Sequence, residues 1–202
     1  MKETQTEQIL EIFGSTGAYL KGHFRLTSGL HSPEYLQCAL VLQHPSHAES
    51  LGRGLADKLR ELAHGRPIGL VVSPAMGGVI IGHEVGRALG VPAIFTEREN
   101  GVMTLRRGFR VDRSRMQQGT GVVVVEDVVT TGGSTREVIE LLRRSGAEVL
   151  AAGSIIDRSG GAVDLGVPRA ALATMQVTAW PAELCPLCAQ GQPVVKPGSR
   201  SV

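Results

Sequence analysis

Val122-Val123-Val124-Val125-Glu126-Asp127-Val128-Val129-Thr130-Thr131-Gly132-Gly133-Ser134-Thr135 reads as a strand, a pair of acids, a short hydroxyl-rich loop and the opening of a helix. Four β-branched residues in succession suit a strand buried on both faces of a sheet. Glycines let a backbone approach a ligand closely. A helix N-terminus adds unpaired N–H groups and the positive end of a dipole, and the combination binds phosphate. Paired carboxylates just before such a loop suit the vicinal hydroxyls of a sugar, or a hydrated cation. One segment would thus hold a ribose through Glu126 and Asp127 and its 5′-phosphate through Thr130, Thr131, Gly132, Gly133 and Ser134.

Strands and helices alternate around this stretch. A short apolar run at 68–73 is a strand, 78–89 a helix closed by Gly90, and 93–96 a strand. The valine strand follows at 122–125, then a helix at 134–144 stopped by Gly146 and a strand at 149–157. This order implies an α/β fold with a mostly parallel sheet flanked by helices. Ligands on such sheets bind beyond the carboxyl ends of the strands. A further helix at 46–63 has Ser46 and Glu49 at capping-box spacing, and Leu51, Leu55, Leu59 and Leu62 at helical intervals. Residues 3–16 form a short amphipathic helix with Ile9, Leu10 and Phe13 on one face, and 22–45 are irregular or strand-like. The 202 residues are expected to make a single domain. Its core spans about 46–158. A small hood lobe comes from about 1–45 plus 159–202, and a long mobile loop covers about 97–121.

Composition excludes several classes. Aromatics are 3% with one Trp, so Val, Leu, Ile and Ala must build the core, and 26 glycines suit an α/β protein with ligand loops. A net charge of +2 is too weak to argue for nucleic acid. No apolar run approaches the ~20 residues of a membrane span. The first residues lack the apolar region of a signal peptide, and three cysteines do not make a secreted disulfide framework. A cytoplasmic protein is expected.

Ser73-Pro74-Ala75-Met76-Gly77-Gly78 repeats the strand-end logic, and its backbone N–H groups could take a second anion. Arg98, Arg106 and Arg107 lie on the segment beginning at Glu97. A closing loop that carries guanidinium groups could neutralise a departing diphosphate, and Gly101 and Gly108 permit a hairpin there.

The stretch from Val122 to Thr135 closely resembles the phosphoribosyl-diphosphate (PRPP) signature of type I phosphoribosyltransferases. The resemblance implies that Glu126 and Asp127 hold the ribose hydroxyls. It also implies that Val128, Val129, Thr130, Thr131, Gly132, Gly133 and Ser134 line the 5′-phosphate loop, and that Ala75, Met76, Gly77 and Gly78 with Arg98 serve the pyrophosphate. Gly22-His-Phe-Arg-Leu-Thr27-Ser-Gly-Leu-His-Ser-Pro-Glu-Tyr35 is similar to the N-terminal segment of the orotate-specific branch of that family, where it forms part of the base pocket. This implies base-binding roles for Thr27 and Tyr35, with Thr130 beside them. Arg158, which follows the last core strand, matches the arginine that pairs with the orotate carboxylate, as a planar guanidinium does well. The resemblance runs from about residue 14 to 160 and implies Mg²⁺, orotate and PRPP as small molecules, and a homodimer. It departs from the branch at Thr27 and near Met76, where lysines are usual, and in the loop, where Arg106 and Arg107 replace Lys and His. A purine-specific transferase or a non-catalytic PRPP sensor are the rival readings. Ser159-Gly160-Gly161 offers no aromatic to stack a purine, and no DNA-binding region is left over.

Cys185-Pro-Leu-Cys188 has zinc-knuckle spacing, but a structural zinc takes four ligands. The six histidines are scattered in the sequence with no matching spacing. No metal ligand from protein side chains is therefore expected, Mg²⁺ being held mainly by PRPP.

Overall fold

The structure, a computed structural model, describes residues 5–26, 29–111 and 119–197. The chain runs α1 (Gln5–Ser15), β1 (Tyr19–Arg25), β2 (His31–Leu36), α2 (Cys38–Leu42), α3 (Pro45–Leu62), β3 (Ile68–Pro74), α4 (Gly78–Leu89), β4 (Ala93–Glu99) and β5 (Val102–Leu105). It continues with β6 (Gly121–Val129), α5 (Gly133–Arg144), β7 (Val149–Asp157), β8 (Arg169–Thr174), a 3-10 turn (Ala182–Leu184) and α6 (Pro186–Ala189).

The valine run forms β6 because both its faces are covered. Val123 and Val125 pack in the cluster of α1, α3 and α4, while Val122 and Val124 pack against Val138, Ile139 and Leu142 of α5. All four valines are fully buried, and full burial of a side chain of this size is worth about 1.5–3 kcal/mol. The sheet order is β5-β4-β3-β6-β7-β8. Every neighbouring pair is parallel except β4 with β5. The chain leaves β3 in one direction to build β4 and β5, returns to place β6 against β3, and continues the other way. The carboxyl ends of β3 and β6 are therefore a topological switch point, where open α/β sheets bind ligands.

Several expectations need correction. The core does not end near 158: β8 joins the sheet in parallel with β7, and α1 packs on β8, with Phe13 fully buried. The segment beginning at Glu97 is not loop at its start, because β4 continues to Glu99 and pairs with β5 around Asn100-Gly101. Residues 112–118 of the expected loop lie outside the described residues. Glu126 and Asp127 lie within β6, which runs on to Val129. The Ser46–Glu49 capping box does not form. Pro45 takes the first helical position with His44 before it and no side-chain cap, as suits a residue without an N–H. Glu49 instead reaches Arg87 of α4 at 3.3 Å.

Residues 22–45 resolve into a β1–β2 antiparallel hairpin and α2. The hairpin is tied to the C-terminal segment by Arg25 N–H to the Val195 carbonyl (2.8 Å) and by a reciprocal pair between His31 and Trp180 (2.8 and 2.9 Å). The Ser32 hydroxyl also donates to the Thr178 carbonyl at 3.0 Å.

Candidate active site

Two loops meet at the β3/β6 switch point. After β3, Ala75-Met76-Gly77 turns into α4, with a cis Ala75–Met76 peptide. Met76 is 82% exposed. Gly77 sits so close to Asp127 that a Cβ there would lie 2.5 Å from either carboxylate oxygen, and Gly78 lies under the Val125 carbonyl at 3.0 Å on the same measure. The backbone of this loop thus lies against the acid of β6, and a Cβ at Gly77 would have to displace the carboxylate.

The acids are set apart by their surroundings. Burial pushes the Glu126 carboxyl up to about 7. The Thr135 hydroxyl, donating to it, pulls the other way, and the neighbouring Asp127 charge adds to the rise. Burial also raises Asp127, against backbone N–H donation from Val128 and its own residue. Two part-buried carboxyls whose charge is disfavoured suit a site that receives cationic character or a cation.

Thr130 and Thr131 are exposed, and Gly132 adopts φ +73° as the cap of α5. Gly132 is packed on its other side, since a Cβ would meet Val163 and Leu165 at 2.7 Å. Gly133 is open, with only the Thr131 hydroxyl within 4 Å, at 3.7 Å. Arg136, which sequence reasoning missed, braces the loop by donating to the carbonyls of Thr131 and Asp164. Its place one turn into α5 was the available signal. The first N–H groups of α5, including those of Gly133 and Ser134, have no partner within the helix.

Arg158 follows β7, its N–H bonded to the Val129 carbonyl at 2.8 Å. Its Nε is buried with no hydrogen-bond partner. Burial lowers the guanidinium pKa, opposed by Glu34, Tyr35 and Cys38. Burial raises the Tyr35 phenol, with Arg158 opposing and Asp127 reinforcing. Arg158, Tyr35 and Asp127 are thus within electrostatic reach of one another. Asp157 turns away: its carboxylate takes a 2.6 Å ion pair from Arg169 of β8 and bonds from Ser159. Burial alone would raise it, but these partners hold it below the ordinary value. Thr27 lies outside the described residues.

The three loop arginines are not gathered at the acids. Arg98 pairs with Glu137 of α5 at 2.8 Å, Arg106 with Glu97 at 2.9 Å, and Arg107 is exposed after β5. An apolar pocket of about 410 Å³, lined by Val79, Ile80, Phe95 and Phe109 among others, contains none of the site residues.

Residues 41–169 match the phosphoribosyl transferase domain. The chain is 57% identical to an orotate phosphoribosyltransferase of Pelotomaculum thermopropionicum over 97% of its own length and 98% of that relative. It is 56% identical to one from Heliobacterium modesticaldum, over 96% and 98%. The crystal structure of orotate phosphoribosyltransferase from Aeropyrum pernix superposes with a TM-score of 0.66 at 28% identity, covering 83% of this chain and 94% of that one. The two loops at the switch point and the match over nearly the full length agree: this chain belongs to the orotate phosphoribosyltransferase family.

Proposed function

We propose that the protein transfers the phosphoribosyl group of PRPP to orotate, giving orotidine 5′-monophosphate and pyrophosphate, a step of de novo pyrimidine (UMP) synthesis. The observation that carries this reading is the unpartnered, buried Nε of Arg158, whose guanidinium lies within electrostatic reach of Tyr35, as does Asp127. A buried donor left unmade costs free energy, and a planar base bearing a carboxylate would satisfy it.

Orotate N1 bonds to the ribose C1, the C1–O bond breaks, and the electron pair leaves with pyrophosphate. The N1 proton goes to solvent or to the leaving group. Positive charge grows on the ribose ring, as in other glycosyl transfers. Asp127 and Glu126 bind the ribose hydroxyls and lie beside that charge. Gly77 and its neighbours donate backbone N–H groups to the diphosphate, and Gly133 and Ser134 to the 5′-phosphate. Positioning and electrostatics supply the rate without a covalent nucleophile. The adjacent carboxylates are oxygen donors of the kind Mg²⁺ accepts beside substrate phosphates. The cation, when bound, neutralises charge on the leaving diphosphate. Arg106 and Arg107 join on loop closure, with Arg98 as the alternative.

The reading includes a homodimer in the cytoplasm. Among the described residues no helix is long and apolar enough to cross a membrane.

Turnover with PRPP and Mg²⁺ should be measured on orotate, hypoxanthine, adenine and uracil in parallel. Product from orotate alone is expected. Turnover of a purine at a comparable rate, or of none of the four, would overturn the assignment.

A further inference from the structure

The two histidines His23 and His31 and the two cysteines Cys185 and Cys188, which stand some 160 residues apart in the chain, come together under the hood with their four ligand atoms within 4.8 Å of one another. We propose that these four residues form a structural Zn²⁺ site that fastens the β1–β2 hairpin to the C-terminal segment.

The distances fit a tetrahedron drawn slightly inward. His23 Nε2 lies 2.9 Å from His31 Nδ1, 3.5 Å from Cys185 Sγ and 3.7 Å from Cys188 Sγ. Cys188 Sγ lies 3.2 Å from His31 Nδ1. Zinc bonds of about 2.0–2.1 Å to nitrogen and 2.3 Å to sulfur imply tetrahedral edges of about 3.3–3.8 Å.

The tautomer of His23 is set for ligation. Its Nδ1 is 2.8 Å from the Gln192 carbonyl, which can only accept, so Nδ1 carries the proton and the Nε2 lone pair faces the cluster. Metal-bound histidines characteristically donate their second nitrogen in this way. The ladder between β1 and β2 shifts register between Lys21 and Phe24, and such an irregularity re-aims a side chain, here that of His23. His23, His31 and Cys185 are buried, and Cys188 closes the cluster from the surface.

Two imidazoles and two thiolates, with no carboxylate, select zinc over the hard cations. Four protein ligands leave no open position, so the site is structural. Both cysteines bind as thiolates, metal uptake releases their two protons, and the centre is neutral overall. The cluster contains none of the phosphate- or ribose-facing residues. Its two histidines lie on either side of residues 24–30 in the sequence.

Metal analysis of the protein purified without chelator should find about one zinc per chain. The Cys188→Ser and His23→Asn variants should lose it, while Cys38→Ala, altered at a cysteine outside the cluster, should keep it. Cobalt added to the chelator-stripped protein should give the visible bands and the thiolate charge-transfer band of a tetrahedral sulfur-ligated ion. Stripping should also lower the melting temperature by several degrees, restored by zinc. These readouts do not depend on the substrate, so their failure is separable from failure of the orotate assignment. Metal-free protein from zinc-replete cells with no cobalt charge-transfer band would overturn the site, as would zinc retained in full by Cys188→Ser. A Cys185–Cys188 disulfide in the freshly isolated protein would overturn it too.

Discussion

A Cβ on Gly77 would stand 2.5 Å from both carboxylate oxygens of Asp127. Gly77 belongs to the loop after β3 and Asp127 to β6, so this contact fixes the loop against the strand that carries the acids. Gly77→Ala should displace the carboxylate and reduce kcat/KM for PRPP by about 10²-fold, the usual cost of misplacing a catalytic group by an ångström. Asp127→Asn should act in the same direction with the fold intact by circular dichroism. Near-normal kinetics of either variant would mean that Asp127 does not face the ribose.

Arg158→Ala should raise KM for orotate far more than KM for PRPP. A hydrogen bond to a charged group is worth about 1.5–3 kcal/mol, or roughly 10- to 150-fold. The melting temperature should hardly change, because the Nε has no protein partner to lose. Equal effects on both substrates would make the residue structural.

The two loop glycines should separate in a stability measurement. Gly132→Ala forces a left-handed residue to carry a Cβ that also meets Val163 and Leu165. It should cost at least about 1–2 kcal/mol from the backbone alone, seen as a lower midpoint in urea. Gly133→Ala should leave stability within about 0.5 kcal/mol, while Gly133→Val weakens orotidine monophosphate binding in calorimetry. Equal destabilisation by both alanines would contradict the packing at Gly132.

The folded pKa of Glu126, raised to about 7 from 4.5, makes the ligand-free protein pH-sensitive. The folded state keeps this proton where the unfolded chain has released it. Its stabilising effect is therefore full below about pH 4.5 and lost as pH rises through about 7, up to roughly 3 kcal/mol in all. Asp127 is raised as well and adds in the same sense. Glu126→Gln should therefore be more thermostable than the wild type at pH 8, with the gap closing towards pH 5. A gap independent of pH would mean that Glu126 is ionised throughout.

Arg106→Ala combined with Arg107→Ala should depress kcat more than PRPP affinity, because the charge they meet develops in the transition state. Arg98→Ala breaks the Glu137 ion pair, an exposed contact worth about 0–1 kcal/mol, and should have the smaller kinetic effect. The reverse ranking, read from single-turnover rates, would put the catalytic charge at the start of the segment.

The strand and helix that carry the candidate site were readable because its parts are contiguous. A valine run, two acids and a glycine loop carry their geometry in their spacing, and β6 with α5 follows. β8 was not readable: Arg169-Ala-Ala-Leu-Ala-Thr174 is alanine-rich, with weak strand preference, and its burial against β7 and α1 decides it. Ser46 and Glu49 had the right spacing for a cap, but Pro45 one residue earlier started the helix. His23 and His31 pair with Cys185 and Cys188 only through the β1–β2 hairpin and its bonds to residues 180–195. No local spacing encodes that. The partners of Arg98 and Arg106 are likewise tertiary: Glu137 comes from α5, and Glu97 is brought to Arg106 by the β4–β5 hairpin.

Because β3 and β6 are hydrogen-bonded neighbours, the loops that leave them are spaced by the backbone, at about 4.8 Å between strands, and not by any side chain. The sheet acts as a fixed ruler between the two loops. A side chain on either loop, such as the 82% exposed Met76, can then be changed without altering the separation of the two backbones.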